Sequence, residues 1–187
     1  MAIPDYQSIM LPLLQFAGDG YVHHIRDAYS AMADFFALTK EEKRLLLPSG
    51  KQKLMDNRVG WARTYLVKAG LLHSSKRGYF QITETGQAVL RANPKTLTVD
   101  DLSEYESFKK FMAGHSKDRT KPKLSNRTRT PEEILEQTIE EMQQNLANEL
   151  LSKIRDCSPD FFEHLVVDLL VRMGYGGSRK EAGQVIG

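Results

Sequence analysis

Asn57, Gly60, Trp61, Thr64 and Lys68 recur at three- and four-residue intervals, Arg58 and Arg63 flank them, and Ser75-Lys76-Arg77 follow a few residues on. On a helix that spacing gathers the first five on one side. Amides, hydroxyls and cations of this kind donate to phosphate oxygens and base edges, and a glycine among them admits a close backbone approach. Lys51 and Lys53 add charge just upstream. The chemistry on offer is recognition of a polyanion rather than bond breaking.

The elements that must position these residues follow from the neighbouring sequence. A helix is expected over 56–69, capped by Asp56 and stopped at Gly70 by a left-handed residue. Val59, Ala62, Leu66 and Ala69 share its buried face; Asn57, Trp61, Thr64 and Lys68 are expected to point away from it. Trp61 lies at the rim, suited to core packing or to stacking on a base. Leu71-Leu72 and Tyr79-Phe80-Gln81-Ile82 are expected as two strands around the polar turn Ser74-Ser75-Lys76-Arg77-Gly78. A polar-faced helix feeding a hairpin with a cationic tip is the layout of a winged helix bound to duplex DNA, and protein contact is the alternative use of the same shape.

Upstream, Ile9, Met10, Leu13, Leu14 and Ala17 mark a first helix, and Tyr21 to Ile25 a short strand entering a second. Thr39-Lys-Glu-Glu42 has the form of a capping box opening a third, short helix through Leu47. After the hairpin, Thr83 starts a last short helix closed by Asn93-Pro94. Residues 1–94 therefore make one winged-helix domain. Residues 95–130 follow as a short helix, with Leu102, Tyr105, Phe108 and Phe111 as its apolar stripe, and then a basic, flexible linker from Ala113. Residues 131–187 open with Thr130 as N-cap and Pro131 at the first helical position, and carry two helices. The first bears the stripe Leu135, Ile139, Met142, Leu146 and Leu150. The second, from Ser158, holds Phe161, Phe162, Leu165, Val166, Leu169, Leu170 and Met173, and is apolar enough to need cover on more than one side. The fold expected is mainly α with a small β-wing.

Other chemistries find little support. Cys157 has no partner for a disulfide, which makes a reducing cytoplasm the expected setting. His23, His24, His73, His115 and His164 lack metal-ligand spacing. Gly174-Tyr-Gly-Gly-Ser178 follows a helix and lacks the Lys-Ser/Thr of a phosphate loop, so it serves as a helix stop. No apolar run has the length of a membrane span, and the N-terminus lacks the pattern of a signal peptide. The net charge of +2 is modest, but cations crowd the helix-hairpin region while acids collect at 100–106 and 132–141. Segregation of that kind sustains a local positive field.

Several blocks of the chain resemble one family. Ile3-Pro-Asp-Tyr-Gln7, Pro48-Ser-Gly-Lys51, Asn57-Arg-Val-Gly-Trp-Ala-Arg-Thr-Tyr-Leu66 and Thr83-Glu-Thr-Gly86 look like the N-terminal winged-helix domain of Mrr-type restriction endonucleases. Asp160 to Tyr175 looks like the opening helix of their catalytic domain. The resemblance implies a modification-dependent (type IV) system acting on duplex DNA with methylated bases. It also implies a PD-(D/E)xK nuclease core, in which paired carboxylates hold Mg²⁺ and a lysine helps activate water. Glu163 matches an acid that the family carries on that helix. The Asp and Glu/Gln-x-Lys motif would lie on later strands, so this chain is expected to be truncated before its active site, with no metal site of its own and no activity by itself. Without a sheet to cover them, the helices of 131–173 are expected to pair in a homodimer. A winged-helix transcription regulator dimerising through the same helices is the alternative, and a nuclease completed by a second chain is a third.

Overall fold

The protein is described by a computed structural model over residues 3–114 and 128–175, and it divides into two compact units, Met1–Gln137 and Thr138–Gly187. Residues 115–127 of the expected basic linker lie outside the described residues, and its last residue, Thr130, is buried.

The first unit begins with α1 (Tyr6–Phe16), capped by Asp5, whose carboxylate accepts from the amides of Gln7 and Ser8 at 2.9 Å. A 3-10 turn and β1 (His23–His24) lead into α2 (Ile25–Phe35). The expected third helix is reduced to a single 3-10 turn, Glu42–Arg44. Its capping box forms nonetheless, with Thr39 N donating to Glu42 Oε2 at 2.8 Å and Glu42 N to Thr39 Oγ1 at 3.2 Å. Beyond it the chain pairs with itself across the Pro48-Ser49-Gly50 turn, Leu46 opposite Lys53. That bridge takes up the backbone groups a longer helix would have used.

The next helix, α3 (Leu54–Lys68), starts two residues earlier than expected. Its N-cap is Lys53, with no side-chain bond to the free amides, so Asp56 sits inside the first turn rather than capping it. Gly70 has φ +80° and ends the helix as its position suggested. Val59, Ala62, Leu66 and Ala69 are buried against α1 and α2, together with Met55. The hairpin follows as β2 (Leu72–His73) and β3 (Tyr79–Ile82), and the sheet order is β1-β3-β2, all antiparallel. Leu72 lies opposite Ile82, which places both in the core beside Phe80.

Then comes α4 (Glu84–Arg91), capped by Thr83 Oγ1 on the Gly86 amide at 3.1 Å. A Cβ on Gly86 would stand 2.3 Å from the Leu71 carbonyl, so only glycine lets α4 lie this close to the strand entry. The helices and the small three-stranded antiparallel sheet agree with the mainly α fold expected from the sequence and are consistent with a winged-helix-like arrangement.

The compact unit runs on past the expected boundary at Pro94. Two short helices stand where one was expected, α5 (Val99–Leu102) and α6 (Glu106–Gly114). Leu102 and Phe108 are fully buried, and Phe108 and Phe111 meet Tyr65 of α3 edge-on at 5.5 and 6.2 Å. This aromatic cluster makes α5 and α6 part of the same core. The opening of α7 (Pro131–Arg155) belongs to the first unit as well.

The second unit holds the rest of α7 and α8 (Pro159–Arg172), the latter capped by Ser158 Oγ on the Phe161 amide. Along it Phe161, Phe162, Leu169 and Met173 are exposed, as are Met142, Leu146, Leu150 and Leu151 on α7. Among the described residues no helix is long and apolar enough to cross a membrane.

Candidate nucleic-acid interface

A helix buried on one face normally presents the other to solvent. α3 departs from this pattern, because only a narrow strip of it is left open. On one flank Asn57 is 2% exposed. Its side-chain amide donates to Glu132 and Gln52, and its oxygen accepts from Thr130 Oγ1 at 2.7 Å. Arg58 turns the same way, making two hydrogen bonds to the Glu133 carboxylate and two more to the carbonyls of Ile3 and Pro4. The Ser49 amide and hydroxyl grip Glu136 at 3.0 and 2.8 Å. The acidic first turns of α7 therefore close the N-terminal end of α3. Helix periodicity placed Asn57 outward; the 73-residue separation to its Thr130 partner explains why local pattern could not show otherwise.

Trp61 is half-buried, edge-on to Tyr65 at 5.7 Å, which places it in the aromatic core. Lys68, the exposed member of α3's polar set, lies 5.3 Å over the Phe111 ring. Thr64 donates its hydroxyl back to the Gly60 carbonyl at 2.9 Å. At Gly60 nothing lies within 4 Å of where a Cβ would stand. Half-buried Asp56, Gly60 and Thr64 and exposed Lys68 follow one another at four-residue intervals as a partly open strip of α3.

Arg63 was expected to face phosphates or bases, but it is spent on the hairpin. Its Nη2 donates to Ser74 Oγ at 2.7 Å and to the Tyr79 carbonyl at 3.1 Å, and its guanidinium lies 5.7 Å over Phe80. Ser74 in turn donates to the Tyr79 carbonyl at 3.0 Å. Burial pulls the Arg63 pKa below its ordinary value. The arrangement fixes the wing to α3 and leaves Ser75, Lys76 and Arg77 exposed at the tip, with the Lys76 ammonium 4.1 Å above the Tyr79 ring.

Beside the open strip is a hollow of about 410 Å³ between α2 and the start of α3. Arg26, Tyr29, Asp34, Lys43, Lys53 and Asp56 line it, Lys43 being paired with Asp34 at 2.7 Å, with Met55 and Ala33 as apolar floor. Burial pushes the Asp56 carboxyl up, and Lys53 opposes that shift. Tyr29 is pushed up too, first by burial and then by the charge of Asp56. Arg26, Tyr29 and Lys43 were not singled out in the sequence. Arg26 sits one position into α2, where the Gly78 carbonyl of the wing accepts from Ile25 N at 2.8 Å, a long-range pairing with no sequence signature.

Among the described residues no three of His, Cys, Asp and Glu converge as metal ligands, and Glu163 is exposed on α8. The described residues therefore do not fit the Mg²⁺ site that the resemblance implies.

Residues 6–92 match the family model of the Mrr N-terminal domain. The chain is 29% identical over 203 aligned positions to a type IV methyl-directed restriction enzyme, EcoKMrr, of Escherichia coli strain K12, an alignment taking in 100% of this chain and 64% of the relative. The chain thus spans just under two thirds of that relative's length. No solved structure matches.

Proposed function

We propose that this chain, whose residues 6–92 match the family model of the Mrr N-terminal domain, is the DNA-binding part of an Mrr-like restriction endonuclease that recognises duplex DNA bearing modified bases. One observation carries the reading: an open strip on α3, bare at Gly60, is flanked by a braced wing with exposed Lys76 and Arg77 and by the cations Arg26 and Lys53. A groove-sized element with cations on both sides suits the phosphate spacing of a duplex. Lys51 and Lys68 extend the same charge. Asn57 and Arg58 hold α7 in place, and Arg63 positions the wing. Preference for methylated bases is drawn from the methyl-directed relative. Cleavage belongs to a metal-binding core of the PD-(D/E)xK kind, and the described residues alone are expected to leave DNA uncut.

Association of two chains through 131–173 is part of the proposal. Met142, Leu146 and Leu150 on α7 and Phe161, Phe162 and Leu169 on α8 are among the large apolar side chains left exposed, and exposed apolar stripes mark association surfaces. A winged-helix regulator would share both features, and the match to a restriction enzyme along the whole chain favours the nuclease reading. The test is a binding isotherm for methylated and unmethylated duplex across a salt series. Affinity that falls steeply with salt supports the reading, whereas no binding at low salt overturns it.

A further inference from the structure

Asp56 is out of place on a surface that meets phosphates. A carboxylate there repels the backbone, and it is half-buried, so it also carries a desolvation cost. It makes no hydrogen bond among the described residues, and the neighbouring cation Lys53 opposes its shift without donating to it. It belongs to the first turn of α3, the end of a recognition helix that reaches base edges, and it lines the hollow with Tyr29, Arg26 and Lys53. Asn57 and Arg58, the adjacent polar groups, are already held by α7. Gly60, one turn further on, leaves open space beside it.

We propose that the hollow between α2 and α3 is a base-edge site and that Asp56 is its acceptor, selecting a base whose exocyclic amine points into the major groove, adenine or cytosine. This rests on the DNA-binding reading above and adds the specificity residue to it. In the major groove adenine N6 and cytosine N4 are the amine donors, and an acidic side chain accepts only from such a group, while guanine and thymine turn oxygen acceptors toward it. The cations on the rim hold the flanking phosphates, so the acid is paired with an amine in the right register and faces like charge in the wrong one. Asp56 therefore lowers affinity for most sequences and spares those that supply the donor.

The experiment uses the full chain and its Asp56→Ala and Asp56→Asn variants in selections from a random duplex pool. The position enriched by the native chain is then rebuilt with 2-aminopurine in place of adenine, or pyrimidin-2-one in place of cytosine, each of which lacks the major-groove amine. The native chain is expected to lose roughly fivefold to tenfold in affinity in one of these two arms, which also says which base is read. Asp56→Ala is expected to be indifferent to the replacement and to bind random duplex at least as tightly as the native chain. Asp56→Asn, which keeps the side-chain volume, separates loss of the charge from loss of packing. An amine-independent preference in the native chain, or a preference kept by Asp56→Ala, overturns the proposal while leaving DNA binding intact. Failure of the native chain to bind any duplex overturns the DNA-binding reading itself.

Discussion

Arg58 and Glu133 meet through two parallel hydrogen bonds, Nε to Oε1 at 2.9 Å and Nη2 to Oε2 at 2.8 Å, with side chains only 14% and 10% exposed. Two helices remote in sequence are joined by this fork, and Arg58 Nη1 adds the carbonyls of Ile3 and Pro4. Arg58→Ala strands a buried carboxylate and two carbonyls. A loss of about 3–5 kcal/mol is expected, measured by denaturant unfolding. Arg58→Lys recovers little of it, because an ammonium cannot span both carboxylate oxygens. Full stability in Arg58→Ala would show that the start of α7 is not held this way.

Arg63→Ala releases the wing. A cost of about 1.5–3 kcal/mol is expected for its charged hydrogen bonds to Ser74 and Tyr79. Its effect on DNA differs in kind from that of the tip. Lys76→Ala or Arg77→Ala is expected to reduce the slope of log affinity against log salt by about 1, with stability unchanged. Arg63→Ala is expected to weaken binding with that slope preserved. A slope change in Arg63→Ala would return this residue to the phosphate contacts.

These two arginines also show how far the sequence reached. The period of Val59, Ala62, Leu66 and Ala69 gave the buried face of α3, and the Leu72–Ile82 pairing followed from the polar turn between two apolar runs. Helical period is a local quantity. It placed Asn57 outward because nothing within a turn of it signals Thr130 or Glu132, and it treated Arg63 as a contact because Ser74 is 11 residues away. Tyr65 and Trp61, large rings beside the polar positions, were the local sign that a second layer covers the helix, and both pack in the aromatic cluster. The hollow was invisible because α2 and the chain before α3 supply its two sides.

Asp56 gives a pH dependence of definite sign. Its pKa is raised in the folded state by burial, so the folded protein holds that proton more tightly than the unfolded chain. The associated stability is full below the unfolded value of about 4 and is lost as pH rises through the folded one. Asp56→Asn removes this term. Melting temperatures of the two proteins are expected to lie closest at acid pH and to separate toward neutrality, the variant being the more stable there. A gap that narrows with rising pH contradicts the assignment.

Self-association is tested by sedimentation. The full chain is expected to sediment as a dimer whose dissociation is promoted by Leu146→Glu or Leu169→Glu, since each places a charge in an exposed apolar stripe. A monomer at high concentration would assign those stripes to something other than a second copy.

Which face of the N-terminal unit meets DNA is read directly by an amide chemical-shift titration of the labelled chain with a short duplex. Shifts are expected at Arg26, Lys53, Asp56, Gly60, Thr64 and the wing tip from Ser75 to Arg77, while Asn57 and Arg58, held against the start of α7, stay near their free positions. Shifts centred on Asn57, Arg58 and Thr130 with a silent wing would contradict it, as they would mean that DNA displaces α7 and enters from the covered side.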